Sequence, residues 1–130
     1  MLSAKSAVEA AAYDALSAAI TGAAVYQDVP DDAPYPIVIV CDLSSRRLPG
    51  KSASRDRIVT VSIVTLVAAE ERAPLLALMD QADAALDGFT VHVGGWTLAF
   101  AFDDDDAALQ DDGQTYAGVA AYTVMALADD

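Results

Sequence analysis

Three kinds of hydrophobic patterning run along the chain, and each predicts an element. Val8, Ala12, Leu16, Ala19 and Ile20 recur at helical spacing on an alanine-rich stretch. Ser6 with Glu9 reads as a Ser-x-x-Glu capping box in front of them, so a helix is expected over about residues 6–20, with Thr21-Gly22 as its stop. Val25-Tyr26 is a short extended piece. The proline-rich connector 28–36 follows, and then Ile37–Val40, a β-branched run that reads as a strand buried on nearly both faces. From 58 to 67 apolar residues alternate, with Val59, Val61, Ile63 and Val67 on one side and Thr60 and Ser62 on the other, the mark of a half-buried strand. A second helical stripe, Leu75, Leu78, Met79, Ala82 and Leu86, predicts a helix opening at Ala69-Glu70-Glu71 and closed by Gly88, with Pro74 required to lie in its first turn.

The distal third alternates again. Phe89–Val93 and Trp96–Phe102 flank Gly94-Gly95, a tight-hairpin signal, because type I′ turns need positive φ at both central residues. Trp96, Leu98, Phe100 and Phe102 share a face and are expected in the core. An acidic loop is expected from Asp103 to Gly113, then a last strand over Tyr116–Leu127. Most of the strands are joined by turns rather than helical crossovers. The expected architecture is a single α+β domain over residues 1–130: an antiparallel β-sheet with two helices packed on one face, and a long basic loop between two strands.

Charge sharpens one part of this picture. The formal net charge is −13, yet five of the seven basic residues, Arg46, Arg47, Lys51, Arg55 and Arg57, fall in the expected loop Cys41–Arg57, and between Arg46 and Arg57 Asp56 alone opposes them. The acidic balance argues against general DNA binding, which needs Lys and Arg to neutralise phosphates. It suits a surface past which a polyanion slides without sticking. A hydrophobic content of 55% excludes a disordered acidic tail. Cys41 is the sole cysteine, which rules out an internal disulfide and paired-thiolate zinc; at the end of an apolar strand it reads as a small core residue. Glu9 and Asp14 interrupt any signal-peptide core, and no apolar run is long enough for a spanning helix, so a soluble, intracellular product is expected.

Candidate chemistry is thin. Asp103, Asp104, Asp105 and Asp106, with Asp111-Asp112-Gly113, lack the spacing of a calcium loop, and read as a solvated segment or a contact for a basic partner. His92 is the lone histidine and has no partner in sequence. No G-x-S-x-G elbow, P-loop or G-x-G-x-x-G is present. Nothing points to an enzyme, a cofactor or a metal.

The whole pattern has a likeness. An alanine-rich helix, Val25-Tyr26-Gln27-Asp28-Val29-Pro30, Ala33-Pro34-Tyr35-Pro36 entering a strand, a polar basic loop, an alternating strand, a helix, a hairpin and a final strand resemble the tail-completion, or tail-terminator, proteins of long-tailed (siphovirus-like) bacteriophages and gene transfer agents. That resemblance implies a non-enzymatic virion protein that forms a ring, hexameric in related tails. Such a ring caps the head-proximal end of the tail tube, ends tube polymerisation and offers the head-docking surface. The implied partners are the tail-tube protein and the head–tail connector protein. DNA passes through the lumen without specific binding, and no membrane is involved; assembly takes place in the cytoplasm of a bacterial host. Within this frame Arg46, Arg47, Lys51, Arg55 and Arg57 are expected to contact a neighbouring subunit or the tube, ordering on assembly, and Asp103, Asp104, Asp105 and Asp106 to form an acidic surface or lumen. The alternatives are another neck ring (a stopper or adaptor), told apart by binding to portal-bearing heads, and an unrelated small acidic binding module, told apart by a monomeric state.

Overall fold

A computed structural model describes residues 2–49 and 54–129. The elements are α1 (Ala4–Ala19), β1 (Ala24–Tyr26), β2 (Ile37–Arg47), β3 (Arg57–Ala68), α2 (Ala73–Leu86), β4 (Thr90–Val93), β5 (Trp96–Leu109) and β6 (Thr115–Ala128). The strands form one sheet in the order β1-β2-β3-β6-β5-β4. Every pairing is antiparallel except β1 with β2. Both helices pack on one face of this sheet, as the patterning predicts. The residues that meet them are the alternating ones: Val59, Val61 and Ile63 of β3, Leu98 and Phe100 of β5, and Tyr122, Val124 and Ala126 of β6 are all buried.

The helix starts differ from expectation, each for a local reason. α1 begins at Ala4, because Ser3 rather than Ser6 is the cap: its Oγ accepts the Ser6 N–H at 3.1 Å. Ala4, Ala7, Val8, Ala11, Ala12 and Leu16 form the buried stripe. Ala19 is exposed, and Ile20 closes the helix through its N–H to the Leu16 carbonyl at 2.8 Å. α2 begins at Ala73, not Ala69, and Pro74 falls in its first turn. A start at Ala69 would bury the proline ring against the carbonyl four residues back. Glu70 and Glu71 therefore precede the helix. Its buried stripe is the predicted one.

The larger departures concern the two charged segments. β2 runs on through Cys41 to Arg47, and β5 runs on through the four aspartates to Leu109. By sequence alone both extensions read as loop. Each is held by ladder pairing to a strongly β-forming partner, β3 and β6 respectively. Each is entered through a one-residue irregularity, between Val40 and Leu43 in β2 and between Phe102 and Asp104 in β5. At each bulge the extra residue breaks the ladder locally, where the hydrophobic alternation stops, and pairing resumes beyond it. Two core assignments fall with it. Phe102, at the bulge, is 41% exposed and only rests its ring edge-on against Tyr122, at a centroid distance of 5.9 Å. Cys41, in the other bulge, is exposed rather than buried.

Candidate functional site

The five basic residues do not form one loop cluster. Arg46 and Arg47 are exposed at the end of β2. Arg47 lies opposite Arg57, and Arg46 opposite Ile58. Strand alternation therefore puts Arg47 and Arg57 on the helix-covered side, with Ser45, and Arg46 on the bare side of the sheet, with Ser44. Residues 54–57 are tied to the chain's own last strand. The Asp56 carboxylate accepts the Ala128 N–H at 2.8 Å, and Arg55 Nη2 donates to the Asp129 carbonyl at 3.3 Å. Arg57 Nη1 donates to the carbonyls of Ser54 and Asp56, at 3.1 and 2.9 Å. Lys51 lies outside the described residues.

Arg55 and Arg57 do share one feature that the sequence hides. With Ser3, Ala4, Lys5, Ser45 and Trp96 they line a cleft of about 230 Å³ beside the start of α1. Lys5 joins them because Trp96 Nε1 donates to the Leu2 carbonyl at 2.8 Å, fastening the N-terminal segment across the sheet. No local pattern relates residue 5 to residues 55 and 57.

The aspartate run is spread over both faces. Asp104 and Asp106 pair with Ala121 and Val119 and lie on the bare side. Asp105 faces α2, where it lines a second cleft, of about 160 Å³, with Met79, Asp80, Asp83, Asp87, Phe102, Ala120 and Tyr122. The buried Tyr122 hydroxyl donates to Asp83 Oδ1 at 2.9 Å, and the Phe102 N–H donates to Asp87 Oδ1 at 3.0 Å. Burial first, then the hydrogen bond to Asp83 and the negative charges around it, pushes the Tyr122 phenol far above its usual ionisation range. These contacts clip α2 to β5 and β6. Helical spacing sets Asp80, Asp83 and Asp87 off the buried stripe of α2, and gives no sign that Asp83 and Asp87 reach the sheet. Among the described residues, no group of three or more His, Cys, Asp or Glu could hold a metal ion.

Two further groups have local explanations. The Asp112 carboxylate accepts the N–H groups of Gln114 and Thr115, at 2.8 and 2.9 Å, and the Thr115 hydroxyl at 2.7 Å. These bonds close the β5–β6 turn and hold the Asp112 carboxyl below the usual range. His92 sits exposed on β4, with Nδ1 2.9 Å from Thr97 Oγ1, and that hydroxyl donates to Asp129 Oδ1 at 2.7 Å. In a nucleophilic triad the imidazole stands between hydroxyl and carboxylate. Here the hydroxyl stands between, so its proton is directed away from the base. No helix among the described residues is long and apolar enough to cross a membrane.

No family model and no curated protein matches the chain. Among solved structures, the fold is similar to that of a chain in the virion of a native gene transfer agent particle. The TM-score is 0.80 at 18% sequence identity, over 93% of this chain and 95% of that one. The likeness extends from end to end, and at this identity it is a likeness of fold.

Proposed function

We propose that this chain is a structural virion protein of a tailed phage or gene transfer agent, and that it acts as the tail terminator. Copies close into a ring, hexameric by analogy with related tails, on the head-proximal end of the tail tube. The ring stops tube growth and presents a surface to the head–tail connector protein. The protein performs no catalysis and carries no cofactor. The observation that carries this reading is the end-to-end fold similarity to a chain of a gene transfer agent virion. The VY-x-x-VP…APYP stretch supports it from the sequence side.

The surface chemistry agrees with the role. A ring through which a genome passes needs a wall that does not bind phosphates, and a chain of net charge −13 provides one. Asp104 and Asp106 on the bare side of the sheet would supply part of that wall. Ring closure needs a head-to-tail interface between two different surfaces of the same chain.

The test is to add purified protein to polymerising tail-tube protein and measure tube lengths by electron microscopy. The expected result is a ring on one end of each tube and a halt to growth from that end. Tubes that elongate normally, or protein that binds portal-bearing heads and not tubes, would refute the terminator role.

A further inference from the structure

Two stretches of strand have one open edge, and they lie on opposite sides of the sheet. β1 flanks β2 only at Ile37–Ile39, which leaves Cys41–Arg47 without a strand on its outer side among the described residues. β4 flanks β5 only at Trp96–Ala99, which leaves Asp103–Leu109 open in the same way. Both stretches are exposed except for Leu43 and Ala107, which are half-buried. Each spans seven residues, and open strand edges are templates for another strand.

Hydrogen-bond phase shows which backbone groups are available. Gln110 N–H donates to the Thr115 carbonyl at 2.8 Å. Bonded pairs alternate along an antiparallel ladder, so Asp106 and Ala108 bond to β6, while Asp105, Ala107 and Leu109 turn their N–H and C=O groups outward. Upstream of the bulge, Phe100 already uses its outward groups, bonding Phe89 and Gly88 at 2.8 and 2.9 Å.

We propose that the Asp103–Leu109 edge of one copy pairs with the Cys41–Arg47 edge of the next, joining the sheets of neighbouring subunits head to tail. The inference rests on the ring reading and names the contact that closes it. Four independent features agree. Three successive antiparallel pairings, β2–β3–β6–β5, make β2 and β5 run in opposite directions, so neighbours in the same orientation pair antiparallel. The side-chain faces match when Arg46 stands opposite Asp104. Arg46 and Ser44 then meet Asp104 and Asp106 on the bare side, while Ser45 and Leu43 meet Asp105 and Ala107 on the helix side. Charge matches too, since the basic end of one edge meets the acidic end of the other.

The fourth feature is geometric. Within one subunit the Arg46 row crosses β6 at Met125 and the Asp104 row crosses it at Ala121. The pairing therefore shifts neighbours by four residues, or about 14 Å, over a four-strand width of about 19 Å. That is a strand tilt of about 35° to the ring axis, where closed barrels lie at roughly 35–45°. The same shift leaves β1 and β4 clear, because each flanks the half-strand that this pairing does not use.

The experiment compares wild type with Ala107→Pro, Asp104→Arg, Arg46→Asp and the Arg46→Asp/Asp104→Arg swap, by native mass spectrometry and by decoration of tail-tube ends. Circular dichroism checks the fold. Ala107→Pro removes an outward N–H, which edge strands tolerate. The expected outcome is loss of the closed oligomer in all three single variants and its return in the swap. Single variants that assemble like wild type overturn the edge pairing and leave the ring reading standing. Loss in the single variants without rescue by the swap overturns this register. If Ala107→Pro does not fold, the two charge variants and the swap decide. Wild type that stays monomeric both alone and on tubes overturns the ring reading, and the pairing with it.

Discussion

Tyr122→Phe removes one hydroxyl from a side chain that has no exposed surface and donates at 2.9 Å to the Asp83 carboxylate. A hydrogen bond to a charged acceptor is worth about 1.5–3 kcal/mol net. Asp83 is half-buried and lines an open cleft, so water reaches the freed carboxylate and the lower end, about 1.5 kcal/mol, is expected. For a chain of 130 residues, about 2.1 cal/mol/K per residue gives an unfolding entropy of about 0.27 kcal/mol/K, and hence a drop in Tm of about 5 °C. Urea titration at pH 7 and thermal melts measure it. The difference also depends on pH, with a definite sign. The folded phenol ionises above its unfolded value of 10.0, so its contribution is complete below pH 10 and is lost as pH rises. The wild type should lose stability with a slope approaching ~1.4 kcal/mol per pH unit from this group, and Tyr122→Phe should not. The gap between the two proteins therefore narrows above pH 10. A gap under about 0.5 kcal/mol at pH 7, or one that stays constant to pH 11, refutes the clip between α2 and the sheet.

Two further predictions follow from single positions. Gly118 is buried where α2 crosses β6; a Cβ there would press on Met79 Sδ and lie 2.9 Å from Met79 Cε and 3.2 Å from Leu75 Cδ1. Gly118→Val should destabilise by about 1–3 kcal/mol through overpacking, and Gly118→Ala by less, because Met79 can swing aside; equal denaturation midpoints for both variants and wild type would contradict the close approach. Cys41 is exposed, but partial burial first and the Asp42 carboxylate second raise its thiol pKa. Alkylation at pH 8 should be slower than for a free thiol and faster in Asp42→Asn, and a rate unaffected by that substitution would remove Asp42 from the account.

Much of the fold was legible because its signals are local or periodic. Val59, Val61 and Ile63 mark β3 by alternation, Leu75 to Leu86 mark α2 by helical spacing, and Gly94-Gly95 mark the hairpin through positive φ, observed at 58° and 92°. The candidate site was legible only as a charge imbalance. Lys5 comes to share a cleft with Arg55 and Arg57 through a hydrogen bond between residues 96 and 2, and Asp83 meets Tyr122 across 39 positions. Contacts at such separations leave no periodic trace. The capping error was of another kind: Ser3 and Ser6 both satisfy the chemistry of an N-cap, and the choice falls to the one that adds Ala4 to the buried stripe.

The two misread strands are instructive because they fail for the same reason. Hydrophobic alternation reports a strand with one face buried and the other wet. Cys41–Arg47 and Asp103–Leu109 are wet on both faces and carry Arg, Ser and Asp, residues that speak for a loop; only the ladder to β3 or β6 makes them strands. A segment exposed on both faces and paired along one edge alone, yet held extended, offers its other edge to a further strand. Charge on such an edge opposes indiscriminate pairing between like edges, and opposite charge on two edges of one chain permits a single, directed pairing. The positions where the alternation rule fails are thus the positions where a second copy would complete the sheet. The sign of the charge on each edge, visible in the sequence from the start, states which edge meets which.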